Sequence, residues 1–240
     1  MMCCLASCGG SDYRAPVEDR RMKPASAPST YTVQRGDTLY SITWRYGLDY
    51  RTIAAANEIS PSYTIYPGQK LYLKKPFPKK KTVARSTAAT TSQGGSSASK
   101  KTVAATKPKA PTRDSATANT KVSSWRWPTK GKVTRGYSST VHKGIDISGA
   151  KGDAIYAVAS GTVVYAGTGI VGFGELLIVK HNDIYLSAYG HNYRLFVEEG
   201  DRVKAGQKIA EKGSSGTDTV KLHFEIRKEG KPIDPQKLLP

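Results

Sequence analysis

Cysteine is nearly absent. The three that occur, Cys3, Cys4 and Cys8, all fall in the first eight residues, so no disulfide framework can brace the folded parts. Long apolar runs are missing as well. Nothing approaches the ~20 residues that a membrane-spanning helix needs, and attachment to a membrane is expected only through lipid. Acidic residues are scarce, 19 Asp and Glu against 37 Lys and Arg, for a net charge of +18. An excess of that size raises nucleic acid first, yet the chain carries no helix-turn-helix pattern, no zinc-finger spacing and no aromatic RNA-binding motif. The charge is also in the wrong place for a reading face. Between Lys74 and Lys121 stand twelve Lys and Arg and one acid, Asp114. This stretch is rich in Ser, Thr, Ala and Pro and has no apolar periodicity, so its charge is solvated on a tether. Such a tether attracts anionic polymers in general, and nucleic acid is not the expected partner.

The 240 residues divide by composition into four parts: 1–30, 31–74, 75–124 and 125–240. The first is polar and Pro-bearing, a spacer with a special start. Leu5, Ala6 and Ser7 before Cys8, with Gly9 after it, resemble a bacterial lipobox, which makes Cys8 the expected lipidation site. Secretory signals need ~15–30 residues, so the expected lipoprotein start lies upstream of Met1. Residues 75–124 are too long for a loop inside one compact domain. As a flexible tether they would span roughly 35–40 Å.

Residues 31–74 read as β-α-α-β. Tyr31 to Gln34 alternates like a strand, and Gly36-Asp37-Thr38 is a turn able to cap a helix. Leu39, Ile42 and Tyr46 then recur at helical spacing up to Gly47. Tyr50 to Asn57 is a second helix, and Pro67-Gly68-Gln69 turns into a strand over Lys70 to Leu73. The strings Y-T-V-Q-R-G-D-T-L-Y-S-I, I-A-A-A-N and I-Y-P-G-Q-K-L-Y-L closely resemble the LysM module. That resemblance implies binding of N-acetylglucosamine-containing glycans, hence of peptidoglycan, in a shallow groove between two loops. It places the contacts at Gly36, Asp37, Thr38 and Leu39 in one loop, and Ile59, Ile65 and Pro67 in the other. Backbone groups would bond the acetamido group while apolar side chains pack on the sugar face.

Residues 125–240 are strand-rich. Short β runs over Ala154 to Ala166, Leu176 to Val179 and Ile184 to Tyr189 are punctuated by Gly and Asn-Asp turns. Strands at this spacing without helices predict an antiparallel β sandwich or partly open barrel, and an α+β multidomain chain as a whole. All four histidines lie here: His142, His181, His191 and His223. His142 and Asp146 are an even number of residues apart, which in an extended segment puts them on one face. Leu222 to Ile226 alternates, with His223 and Glu225 on one side. Two His and one Asp make a suitable first shell for tetrahedral zinc with an open fourth position.

The order H-K-G-I-D-I, S-A-Y-G-H and K-L-H-F-E-I resembles the LytM/lysostaphin-type zinc endopeptidases, which cut peptide cross-links in peptidoglycan. The resemblance implies a mostly antiparallel β fold, zinc on His142, Asp146 and His223, and a catalytic role for His191. One position departs. Where that family has the first His of H-x-H, this chain has Lys221. An ammonium cannot accept a proton and is repelled by Zn²⁺, and loss of a positioned acid–base group typically costs ~10²–10⁴ in rate. Tyr137 to Val141 is also short where active relatives carry a longer Arg-containing loop.

LysM module, basic tether and altered LytM domain together resemble NlpD-type lipoproteins. Those are not hydrolases; they stimulate N-acetylmuramoyl-L-alanine amidases during daughter-cell separation. The resemblance implies an envelope lipoprotein on the periplasmic side of the outer membrane, at the septum. It would bind peptidoglycan, take a periplasmic amidase as partner and hold His191 as a vestige. The alternative is a zinc-dependent endopeptidase, favoured by the intact triad His142, Asp146 and His223. A purely wall-tethering lipoprotein is the third reading.

Overall fold

The N-terminal unit forms because its helix ends are written into the sequence. In the computed structural model, which describes residues 26–76, 121–122 and 124–240, β1 (Thr30–Thr32) leads through a turn into α1 (Leu39–Tyr46). Thr38 and Ser41 form a reciprocal capping box, each side chain bonding the other's backbone N–H at 3.0 Å. Gly47, at φ 66°, stops the helix, its N–H reaching the Thr43 and Trp44 carbonyls. Asp49 caps α2 (Tyr50–Ala56). Asn57 then ties that helix to β2 (Lys70–Tyr72) by bonding both the N–H and the carbonyl of Tyr72. β2 closes antiparallel on β1. The β-α-α-β order is as the sequence predicts. Cys8 and most of the basic tether lie outside the described residues.

The C-terminal unit contains β3 (Val133–Arg135), β4 (Ile145–Ser148), β5 (Ala154–Tyr156), β6 (Gly161–Gly167), β7 (Leu176–Lys180), β8 (Tyr185–Gly190), β9 (Asn192–Leu195), β10 (Arg202–Val203), β11 (Lys208–Lys212), β12 (Lys221–Lys228) and β13 (Lys231–Ile233). The larger sheet runs β10-β6-β7-β8-β12-β4-β3, with β13 beside the far end of β12; the smaller runs β5-β11-β9. The pairings within both sheets are antiparallel. This is the expected antiparallel β architecture, with an α/β module ahead of it.

β12 lies inside the larger sheet, between β8 and β4, and divides its two faces by alternation. Leu222, Phe224 and Ile226 enter an apolar core with Ile145, Ile147, Leu177, Val179 and Tyr189. The other face carries Lys221, His223, Glu225 and Arg227. Truncating a fully buried Phe such as Phe224 to Ala costs about 3–5 kcal/mol, so the strand that bears the site is anchored by its back.

β7 has no polar face. Leu177 and Val179 join the core just described, whereas Leu176 and Ile178 join a second cluster with Leu39, Ile42, Trp44 and Tyr50 of the N-terminal unit. The small module therefore lies against the large sheet, a contact that reading the chain as two tethered units did not foresee.

Candidate functional site

Three neighbouring strands converge on one point. β12 pairs with β4 so that His223 stands opposite Asp146, and with β8 so that His223 stands opposite Gly190, next to His191. His142 comes from the turn before β4. Gly144, between His142 and Asp146, is needed for close approach: a Cβ there would come within 2.2 Å of the Phe224 carbonyl oxygen.

His142, Asp146 and His223 each aim one ligand atom into a common space, all within 4.8 Å of one another. Asp146 Oδ1 lies 2.7 Å from His223 Nδ1 and 3.3 Å from His142 Nε2. The latter nitrogen is buried and has no hydrogen-bond partner among the described residues. Two imidazoles, one carboxylate and an orphaned buried donor atom fit a zinc ion. Burial alone would raise the Asp146 carboxyl, but contacts from His142, His223 and Lys221 hold it below the usual carboxylate range.

Glu225 orients the ring of His223. Its Oε1 lies 3.2 Å from His223 Nε2, leaving Nδ1 turned to Asp146, and its Oε2 is held by Arg227 at 2.9–3.0 Å. A carboxylate behind a ligating His fixes its tautomer and strengthens it as a donor. Burial pulls the His223 pKa down, but its bonds to Asp146 and Glu225 prevail and push it up to about 9 in the metal-free protein.

Lys221 reaches the same carboxylate from the other side. Its Nζ donates to Asp146 Oδ2 at 2.9 Å. The sequence expectation has this ammonium pointing towards the candidate metal position, and its bond is to a candidate ligand.

His191, whose ring centroid is 6.1 Å from that of His223, adopts φ 64°. Its Nδ1 donates to the Ser215 carbonyl at 2.8 Å, so Nε2 carries the lone pair. Burial, chiefly, pushes its pKa down to about 4, and the ring is neutral at pH 7. Two neighbours of this ring had no signal in the sequence reading. Phe173 packs edge-on against His223 at 5.4 Å, and its carbonyl accepts from the His191 N–H. Ser215 approaches Gly174 so closely that a Cβ there would meet its carbonyl at 2.0 Å. The fourth histidine, His181, is a core residue bonded to the Ser160 carbonyl and the Ser187 hydroxyl.

Between the N-terminal unit and the large sheet a pocket of about 240 Å³ takes in Asp37, Thr38 and Ile65 of the expected glycan contacts, and adds Tyr40 and Tyr63. Gly36, Ile59 and Pro67 stand outside its lining. Leu39 is fully buried in the apolar cluster, so its side chain is not available to a sugar. The Asp37 carboxylate is already engaged, by Tyr31 Oη at 2.7 Å, the Gln34 N–H at 2.9 Å and Arg45 at 3.6 Å.

Residues 31–74 match the LysM domain family, and residues 140–235 match peptidase family M23. The lipoprotein NlpD/LppB homolog of Pseudomonas aeruginosa is 44% identical over 94% of this chain and 81% of its own length. The murein hydrolase activator NlpD of Escherichia coli is 41% identical over 91% of this chain and 69% of its own length. Among solved structures, a zinc containing peptidase from Vibrio cholerae aligns with 49% of this chain and 41% of its own at 29% identity, with a TM-score of 0.46. The chain belongs to the NlpD family, with a LysM domain ahead of a peptidase family M23 domain.

Proposed function

We propose that this protein is a peptidoglycan-binding activator rather than a hydrolase. Residues 31–74 bind the glycan, residues 75–124 serve as a basic linker, and residues 125–240 present a groove that stimulates a periplasmic N-acetylmuramoyl-L-alanine amidase. The setting is septal peptidoglycan splitting in cell separation. The attachment is a lipid on Cys8, within residues 1–30, at the periplasmic side of the outer membrane. The observation that carries the reading is the Lys221 ammonium bonded to Asp146. It occupies the position where hydrolysis calls for an imidazole, and an ammonium has no lone pair with which to take a proton from water. The names of the relatives, murein hydrolase activator and lipoprotein, support the same reading.

His142 Nε2, Asp146 Oδ1 and His223 Nδ1 are the atoms that would hold zinc, which when bound supplies a Lewis acid. In an activator the metal would be structural, held by His142 from the turn before β4, Asp146 of β4 and His223 of β12. His191 presents a neutral acceptor nitrogen to whatever enters.

The test mixes the purified protein with candidate envelope amidases and dye-labelled peptidoglycan. Dye release should rise well above that of the amidase alone, and the protein by itself should release none. Failure to stimulate any envelope amidase would end this reading. The intact triad and the lone pair on His191 favour zinc endopeptidase activity as the second reading. Cleavage of purified cross-linked muropeptides by the unaided protein would establish it.

A further inference from the structure

The LysM loops form only one wall of their pocket. The other wall belongs to the M23 domain: Thr162 and Val164 on β6, and the Glu199-Gly200 turn between β9 and β10. This apposition is held by more than apolar contact. Arg227 lies over the Trp44 indole at 3.6 Å and donates to the Trp44 carbonyl at 2.6 Å. Thr38 Oγ1 donates to the Val164 carbonyl at 3.4 Å, and Arg45 to the Gly169 carbonyl at 3.1 Å.

A pyranose ring needs an apolar platform for its C–H face and acceptors for its hydroxyl and amide hydrogens. The LysM wall supplies the platform in Tyr63 and Ile65. Its one carboxylate in the pocket, Asp37, is occupied by Tyr31, Gln34 and Arg45. The LysM wall also offers the Ser62 and Thr64 hydroxyls, and the facing wall adds an unengaged carboxylate. Glu199 stands at the rim, and its carboxylate has no hydrogen bond or ion pair with the described residues.

We infer that N-acetylated glycan is gripped in a composite cleft, the LysM loops forming one side and Val164 with Glu199 of the M23 domain the other. Glu199 accepts hydrogen bonds from the ligand's hydroxyl or amide groups. The inference rests on the reading that the LysM domain binds glycan, and it adds that the M23 domain takes part. The pocket's size, about 240 Å³, suits a single sugar unit between the walls, with the rest of the chain running out of both ends.

Titration of the full-length protein with tetra-N-acetylchitotetraose by calorimetry tests this. Losing a hydrogen bond to a charged group predicts that Glu199→Ala weakens binding about tenfold or more, and that Glu199→Gln, which keeps an acceptor, weakens it less. Glu199 is an exposed turn residue, and an unchanged melting temperature would show that the variants fold. If the wild type does not bind the saccharide, the LysM reading itself fails. If the wild type binds and Glu199→Ala binds equally well or more tightly, the composite wall is wrong, tighter binding meaning that the sheet obstructs the loops.

Discussion

Lys221 Nζ lies 2.9 Å from Asp146 Oδ2, while Asp146 Oδ1 faces both His142 and His223. One carboxylate is thus shared between a fixed internal cation and the space where a metal cation would sit. Two positive charges on one carboxylate repel, and partial burial limits the screening. Replacing Lys221 with Met should therefore tighten zinc binding by roughly tenfold, read by competition with a chelating dye. Equal affinities for the two proteins would mean that Lys221 does not contest the site.

Asp146 has the opposite role, since three groups, His142, His223 and Lys221, depend on its charge. Removing one member of a buried charged set leaves the others uncompensated, which costs about 3 kcal/mol or more. Asp146→Asn should lower the metal-free stability by about that amount in urea denaturation. It should also abolish any rise in stability on adding zinc. A variant that zinc still stabilises fully would remove Asp146 from the ligand set.

The parts of this molecule that were legible in the sequence are those set by local chemistry. The capping Thr38, the stop at Gly47 and the turn at Pro67 to Gln69 fix the small module without reference to the rest. The alternation of Lys221 to Ile226 gave the division of β12 into a core face and a site face. The docking of the module was not read, although a sign of it was present. Leu176 to Val179 is a continuous apolar run, the pattern of a strand buried on both faces, but the run itself does not say which element covers the second face. Phe173 and Ser215 were invisible for a different reason. They reach the site through loops between strands, where neither period nor motif places a side chain.

His181 should make the fold sensitive to acid. Burial pushes its pKa down to about 4 from the ordinary 6.5. Between these values the unfolded chain binds a proton that the folded one refuses. Stability is therefore full above pH 6.5 and is lost as pH falls towards 4, by about 3 kcal/mol for this group. His191, held near the same value, acts in the same direction, so the comparison that isolates His181 is with His181→Gln. That variant, which can still bond the Ser160 carbonyl or the Ser187 hydroxyl, should show a shallower fall in denaturant-measured stability across this window. Parallel curves for the two proteins would exclude His181 as the source.

Arg227 couples the two halves of the chain. It neutralises the buried Glu225 at 2.9 Å while stacking on Trp44 and bonding its carbonyl. Glu225 in turn bonds His223, so a line of contacts runs from the LysM helix α1 to the candidate metal ligand. Arg227→Met keeps much of the side-chain volume but leaves Glu225 without its cation, at a cost of about 3–5 kcal/mol, and removes the hold on Trp44. Amide hydrogen exchange distinguishes a docked module from an independent one. If the module is docked, amides of Leu39–Tyr46 and Tyr50–Ala56 should lose protection in the variant along with those of β7, because Leu176 and Ile178 share their apolar cluster. If those helices exchange as they do in the wild type while only the sheet loosens, the module folds without the sheet, and the contact at Trp44 contributes nothing to its stability.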